Sequence, residues 1–264
     1  MKTYTPSRSF ELYDGEIVID FYERYGRYQH VYIRRDNGEW LKSVTGATGI
    51  LDKPALIPWA CGCMHDKIEE ALNRGQLITP DFLAEAKNAW REKRDSSADY
   101  GTITHLTIHE FIKYKLGIEK KAPVVPKIRE VENAFLAFRD WVEDQQVEFI
   151  ATDQLVYSKK YNFVGTLDCT AKIHKGKERF ALIDFKSSNG IYGDMIYQTT
   201  GYNVAYEEET RIKLDSTIIA RFGKQTAEFE MLEFKVTPQL VKGFLSCLYI
   251  KMQEKDLQAL LPKK

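Results

Sequence analysis

VGTLDCTAKIHKGKERFALIDFKSS, residues 164–188, is the stretch on which the reading of the fold turns. Two apolar runs flank a connection, HKGKER, made of turn-forming and charged residues, the pattern of two strands joined by a turn. Each run carries an acid where a strand buries something apolar: Asp168 in the first, Asp184 in the second, with Lys186 two places on. Residues two apart in a strand share a face, so Asp184 and Lys186 project together with the carbonyl of Phe185 between them. If the runs pair antiparallel, Asp168 lies on the neighbouring strand; the register that would bring it to the same face is left open by the sequence.

The apolar FALI before Asp184 predicts a buried strand end, where an unpaired carboxylate is expensive. A cation would offset that cost. Two carboxylates and a carbonyl are hard oxygen donors, suited to Mg²⁺ or Mn²⁺ more than to zinc. Metal, water and ammonium are also the parts required for in-line attack on a phosphodiester. The competing reading is a solvated surface pair, because Asp-x-Lys alone is common.

The rest of the 264 residues supplies the context. An apolar fraction of 44% with 29% charged residues fits a globular chain. No apolar run approaches the ~20 residues of a bilayer span, and the N-terminus lacks the apolar block of a signal peptide. The expected location is therefore the cytoplasm, that of a host cell if the protein is viral, with no membrane partner. Basic and acidic residues balance at 38 each, which excludes a whole-molecule electrostatic grip on nucleic acid and leaves room for a local basic face. Cys61, Cys63, Cys169 and Cys247 lack the paired spacing of a zinc site and are read as reduced structural thiols.

Strands are expected over residues 9–45, with an Asn-Gly turn at Asn37 and Gly38. Helical periodicity begins near Lys53 and stops at Gly75. Thr79, Pro80 and Asp81 open a further helix, GTITHLTIHEFIKYKLG forms a separate short one closed by Gly117, and Val131, Phe135, Phe138 and Val142 mark another. Three strands follow (IATDQLVYS, FVGTLDCTAKI, RFALIDFKS), then the helix GDMIYQTTGYNVAYEEE, the hairpin STIIARFG and EFEMLEFK, and a closing helix from Thr237 with a lysine-ended tail. This order argues for a mixed α/β core with a helical elaboration before it.

The ordered set GTITH, VGTLD, LIDFKSS and QTTGY, over residues 98–206, resembles the PD-(D/E)XK nuclease superfamily, and within it the RecB-like exonuclease branch. A looser similarity in SVTGATGIL and LIPWA is reminiscent of phage-encoded members. The resemblance implies a restriction-endonuclease-like core, a central mixed sheet flanked by helices. It divides the chain into a β-rich segment (1–50), a helical region carrying GTITH (51–147) and the nuclease core (148–264), together forming one compact domain. It also implies a metal-dependent deoxyribonuclease, an exonuclease of replication, recombination or repair. Its partners would be DNA, at linear ends or as single strands, and a recombination or replication protein.

By the same resemblance His105, Asp168, Asp184 and the Phe185 carbonyl hold Mg²⁺ or Mn²⁺, and Lys186 positions water and stabilises charge. Gln198 and Tyr202, four apart and so on one helix face, steady Lys186 or touch the DNA backbone. Asp153 stands where relatives carry a glutamate and is an accessory candidate. His109 stands where relatives often carry Glu; it is read as a helix-face residue without a ligand role, although His105 and His109 could bind zinc together. The four cysteines of iron–sulfur members are missing, so no cluster is expected. Lys172, Lys175, Lys177 and Arg179 crowd the hairpin connection and are the expected grip on phosphates. Residues 59–74 and the Trp90 region are candidates for an arch over a strand with a free end. A catalytically inactive nucleic-acid-binding module and an RNA-cleaving nuclease are the competing functions.

Overall fold

Alternating apolar residues in the first forty positions form three strands, β1 (Arg8–Leu12), β2 (Ile17–Tyr25) and β3 (Tyr28–Arg34), paired antiparallel in order. They belong to a computed structural model that describes residues 4–223 and 227–262; Lys263 and Lys264 of the tail lie outside the described residues. The Asn37-Gly38 turn forms as the sequence predicts. Gly38 has φ +69 and its N–H donates to the Arg34 carbonyl at 2.8 Å.

The two-residue strand β4 (Lys42–Ser43) leads straight into α1 (Val44–Thr48), a helix the sequence reading did not contain. Ser43 ends the strand by capping: its Oγ accepts from the Gly46 N–H at 3.0 Å. Helix α2 (Leu56–Asn73) stops before Gly75, whose φ of +71 only glycine adopts freely.

The next segment departs from expectation. Instead of one helix from Thr79 to Gly101 and a second beyond it, α3 (Pro80–Ala86) ends early and α4 (Ala89–Lys115) runs 27 residues through Gly101. Asn88 makes the break, leaving helical geometry (φ −99, ψ 1) while its Nδ2 donates to the Ala84 carbonyl at 3.2 Å. A glycine inside a helix costs only ~1 kcal/mol, less than the fully buried Ile108 and Ile112 of the same helix return.

The remaining elements are α5 (Arg129–Gln145), β5 (Val147–Ser158), β6 (Phe163–Ile173), β7 (Arg179–Lys186), α6 (Gly193–Thr210), β8 (Ser216–Phe222), β9 (Phe229–Phe234) and α7 (Pro238–Leu260). The main sheet has the order β4-β6-β7-β8-β9, with β5 on the other edge of β6. Pairings of β6 with β5 and β7, and of β8 with β9, are antiparallel; β4–β6 and β7–β8 are parallel. The chain is thus a mixed α/β fold with a helix-flanked central mixed sheet.

Side-chain alternation along β7 assigns its two faces. Ile183 and Phe185 join Ile108, Ile112, Phe138 and Trp141 of α4 and α5 in one core. Leu182 packs with Tyr202, Ala205 and Phe244 of α6 and α7 in the other. A third cluster seats Leu12, Ile17 and Ile19 of the N-terminal sheet on Leu155, Tyr157 and Val164 of the main one. No helix among the described residues is long and apolar enough to cross a membrane. Cys61 is exposed and the other three cysteines are buried.

Pairing along β6 is interrupted on one edge. Strand β5 runs the length of one edge, so β4 and β7 must share the other. There β4 covers Phe163 and Val164, while β7 begins only at Cys169. Residues 165–168, the GTLD of the motif, lie between them without a strand partner on that edge.

Candidate active site

Where β6 and β7 part, the last ladder pair is Cys169 with Ile183, so Asp168 and Asp184 are the next opposed residues. The register the sequence left open brings the two acids together. Asp168 makes the parting possible: its Oδ2 accepts from the Phe185 N–H at 2.7 Å, replacing a backbone partner. The Phe185 ring is fully buried in the core beneath, which leaves its backbone as the part able to face the site.

Asp184 is 1% exposed, and Lys186 Nζ lies 2.6 Å from its Oδ2. That oxygen nonetheless receives no hydrogen bond of acceptable geometry. We read the pair as a charge contact off the hydrogen-bonding direction, with capacity left on the carboxylate. Burial raises the Asp184 pKa above the usual carboxylate range, while Lys186 pulls it down and the charge of Asp168 pushes it further up. Burial works against the charge of Lys186, but Asp184 and Asp168 outweigh it and raise its pKa.

Helix α4 supplies the imidazoles. His105 Nδ1 lies 3.9 Å from Asp168 Oδ2, and His109 Nε2 lies 3.7 Å from Asp168 Oδ1. Donor atoms of these three residues all fall within 4.8 Å of one another, close enough to hold one metal ion. Asp184 and Asp153 are not members of that close set. Asp184 faces Lys186 instead. Asp153, in a left-handed conformation (φ +53), pairs with Arg8 at 3.1 Å.

Helix α6 closes the opposite side. Gln198 Nε2 donates to the Tyr202 hydroxyl at 2.9 Å, and burial, followed by the charge of Asp184, pushes the Tyr202 pKa well up. The glycine of VGTLD exists for this tyrosine: a Cβ on Gly165 would stand 2.6 Å from Tyr202 Cε1 and 2.9 Å from Val44 Cγ2. Two motifs far apart in sequence therefore meet as ring on bare backbone.

Three features escaped the sequence reading. Gly165 is one. Thr152 is another: its hydroxyl links His109 Nδ1, at 2.6 Å, to the Asp168 carbonyl, at 2.9 Å, and no pattern distinguishes it from an ordinary strand threonine. The third is the place of the basic connection. Lys175 and Lys177 lie in the turn, and Lys172 and Arg179 on the strand ends that flank it, away from the acids. Asp168 precedes Ile173 by five residues, about 17 Å at ~3.3 Å per residue. Two of these cations are already committed: Lys175 to Asp144 at 2.6 Å, and Arg179 to Glu233 at 2.5 and 2.9 Å. Counting along the strand would have exposed this separation.

The donor set fits a divalent cation. Ligand atoms of His105, His109 and Asp168 converge within 4.8 Å of one another.

No protein-family model matches the chain, and no curated protein matches it. Among solved structures it aligns with an alkaline exonuclease from Laribacter hongkongensis at 8% identity, over 83% of this chain and 88% of that one, with a TM-score of 0.40. The same enzyme in complex with dAMP aligns at 13% identity over 56% and 77%, TM-score 0.35. A candidate exonuclease from Eubacterium rectale aligns at 13% identity over 58% and 65%, TM-score 0.37.

Proposed function

We propose that the protein is a divalent-metal-dependent nuclease of the PD-(D/E)XK type that hydrolyses phosphodiester bonds in DNA, acting as an exonuclease on linear ends or single strands. The observation that carries the proposal is the convergence of Asp168, Asp184 and Lys186 where β6 and β7 part, beside imidazoles of α4. The ordered motifs of the sequence support the same reading.

His105 and Asp168 would hold the ion, with Asp184 and the Phe185 backbone adjoining it. A bound Mg²⁺ or Mn²⁺ would supply phosphoryl polarisation and an acidified water. Lys186 is placed to hold that water and to meet the negative charge that grows on the phosphoryl group. Its partner Asp184 keeps the ammonium charged and aimed in a buried setting. Gln198 orients the Tyr202 hydroxyl on the α6 side.

Digestion of end-labelled linear and closed-circular DNA in Mg²⁺ or Mn²⁺ tests the proposal. The parent chain should shorten linear DNA from its ends, stop in EDTA and leave circles intact. Cleavage of circles would make it an endonuclease. If Asp184→Ala and Lys186→Ala both cut as fast as the parent, the assignment is wrong; parallel digestion of RNA decides the nucleic acid.

A further inference from the structure

We propose that His109 is itself a ligand of the bound cation, so that His105, His109 and Asp168 form a two-imidazole, one-carboxylate set that selects Mn²⁺, Co²⁺ or Zn²⁺ over Mg²⁺. The inference deepens the reading of this site as a cation-dependent nuclease centre and rests on it. It replaces the view of His109 as a helix-face residue without a ligand role.

The argument begins with one proton. Thr152 Oγ1 donates to the Asp168 carbonyl at 2.9 Å. A hydroxyl has a single hydrogen to give, so in its 2.6 Å contact with His109 Nδ1 the oxygen accepts and the ring nitrogen donates. Nδ1 is thereby occupied, and Nε2 is the ring atom left to meet an ion. It faces Asp168 Oδ1 at 3.7 Å, beyond hydrogen-bond range and wide enough to admit a cation between the two atoms.

The spacing suits a shared ion. Donors each ~2.0–2.2 Å from one metal stand roughly 3–4 Å apart, and the two imidazole contacts to Asp168 are 3.7 and 3.9 Å. The ring is also held as ligating histidines are held, its second nitrogen donating to an oxygen that is in turn tied to the protein. Here the tie returns to the backbone of Asp168, so one threonine orients two ligands. The Phe185 ring stands against His109 at 6.4 Å between centroids, edge to face, and the His109 side chain is only 13% exposed.

Donor chemistry then sets the preference. Mg²⁺ is bound through oxygen and keeps its waters, whereas imidazole favours transition ions in rising order from Mn²⁺ through Co²⁺. A set of two oxygens and one nitrogen would discriminate weakly; a second nitrogen sharpens the choice.

The test is metal binding by the full chain freed of metal with chelator: Mn²⁺ followed by electron paramagnetic resonance, Co²⁺ by visible absorption and Mg²⁺ by calorimetry. The parent should bind Mn²⁺ at least ~10-fold more tightly than Mg²⁺. His109→Ala should lose ~10–100-fold in Mn²⁺ affinity, shift the Co²⁺ absorption and leave Mg²⁺ affinity within ~3-fold. Thr152→Val, which removes the orienting hydroxyl, should lose ~10-fold. Melting in chelator verifies that the variants fold. For a variant that does not fold, the unmutated Co²⁺-loaded chain serves instead, where two paramagnetically shifted imidazole N–H resonances are expected. An unchanged Mn²⁺ affinity and Co²⁺ spectrum in His109→Ala, equal losses for Mn²⁺ and Mg²⁺, or a single shifted imidazole would overturn the proposal. Because the readout is binding, a parent that holds Mn²⁺ through His109 yet leaves DNA intact refutes the nuclease reading alone. One that cuts DNA with His109 uninvolved in binding refutes this inference alone.

Discussion

The two ends of the β6–β7 hairpin use the same residue types to opposite effect. At the turn, His174 sits 2.9 Å from both Glu148 and Glu178, Lys175 meets Asp144, and Arg179 grips Glu233 through two contacts. These charges have their partners. At the other end the two imidazoles stand 3.7 and 3.9 Å from Asp168, wider than the contacts at the turn, while Asp184 and Lys186 pair in a buried setting. Spaced donors leave room for an ion, which the close pairs of the turn do not.

The largest expected effect separates the two ends by activity. Lys186→Ala or Asp168→Ala should lower cleavage at least ~100-fold, as removing groups that meet transition-state charge does. The double variant Lys172→Ala, Lys177→Ala should change it less than ~3-fold in physiological salt, because the nearer of the two is about 13 Å from Asp168 along the strand, beyond the ~8 Å Debye length. Initial rates on one linear DNA check both, and a turn variant as impaired as Lys186→Ala would erase the distinction.

Stability separates the ends next. Gly165→Ala should cost ~1–3 kcal/mol through overpacking against Tyr202 and Val44, whereas Gly176→Asn at the turn, where no atom lies near and the only penalty is the φ of +77 that asparagine tolerates best, should cost ~1 kcal/mol. Denaturant melts measure both. At the same end Arg179→Met, which breaks a half-buried ion pair with Glu233, should cost ~1 kcal/mol with no loss of cleavage.

Away from either end the expected effect is one of pH. On α6, burial first and the charge of Glu208 second push Glu209 from 4.5 up to about 7, against a hydrogen bond from the Tyr157 N–H. Folding therefore favours the protonated form. That contribution is complete below about pH 4.5 and is lost as pH rises through 7. Glu209→Gln should melt above the parent at pH 8 and level with it near pH 4.5; the reverse order would show that the carboxylate is stabilised in its charged form.

Much of this arrangement was legible in residue order. Period-two and helical patterns located β5, β6, β7, α5 and α6, and the spacing of Asp184 and Lys186 put them on one face. What stayed hidden depends on contacts between distant segments. Nothing local says that Gly165 leaves room for a ring on α6, or that Thr152 spends its proton on the Asp168 carbonyl and so makes Nδ1 of His109 the donor. The break at Asn88 was misplaced to Gly101 because glycine weakens a helix only mildly, and the burial that carries α4 through it is tertiary. The distance of the basic turn from the acids is hidden for a plainer reason: nearness in sequence is not nearness along an extended strand.

One consequence follows from the four residues of β6 left unpaired between β4 and β7. A complete sheet insulates its two faces, so groups on helices above cannot act on what lies below. Here that insulation has a window. Through it, imidazoles rooted in the α4 layer reach Asp168, whose charge, with that of Asp184, is also felt by the phenol rooted in the α6 layer.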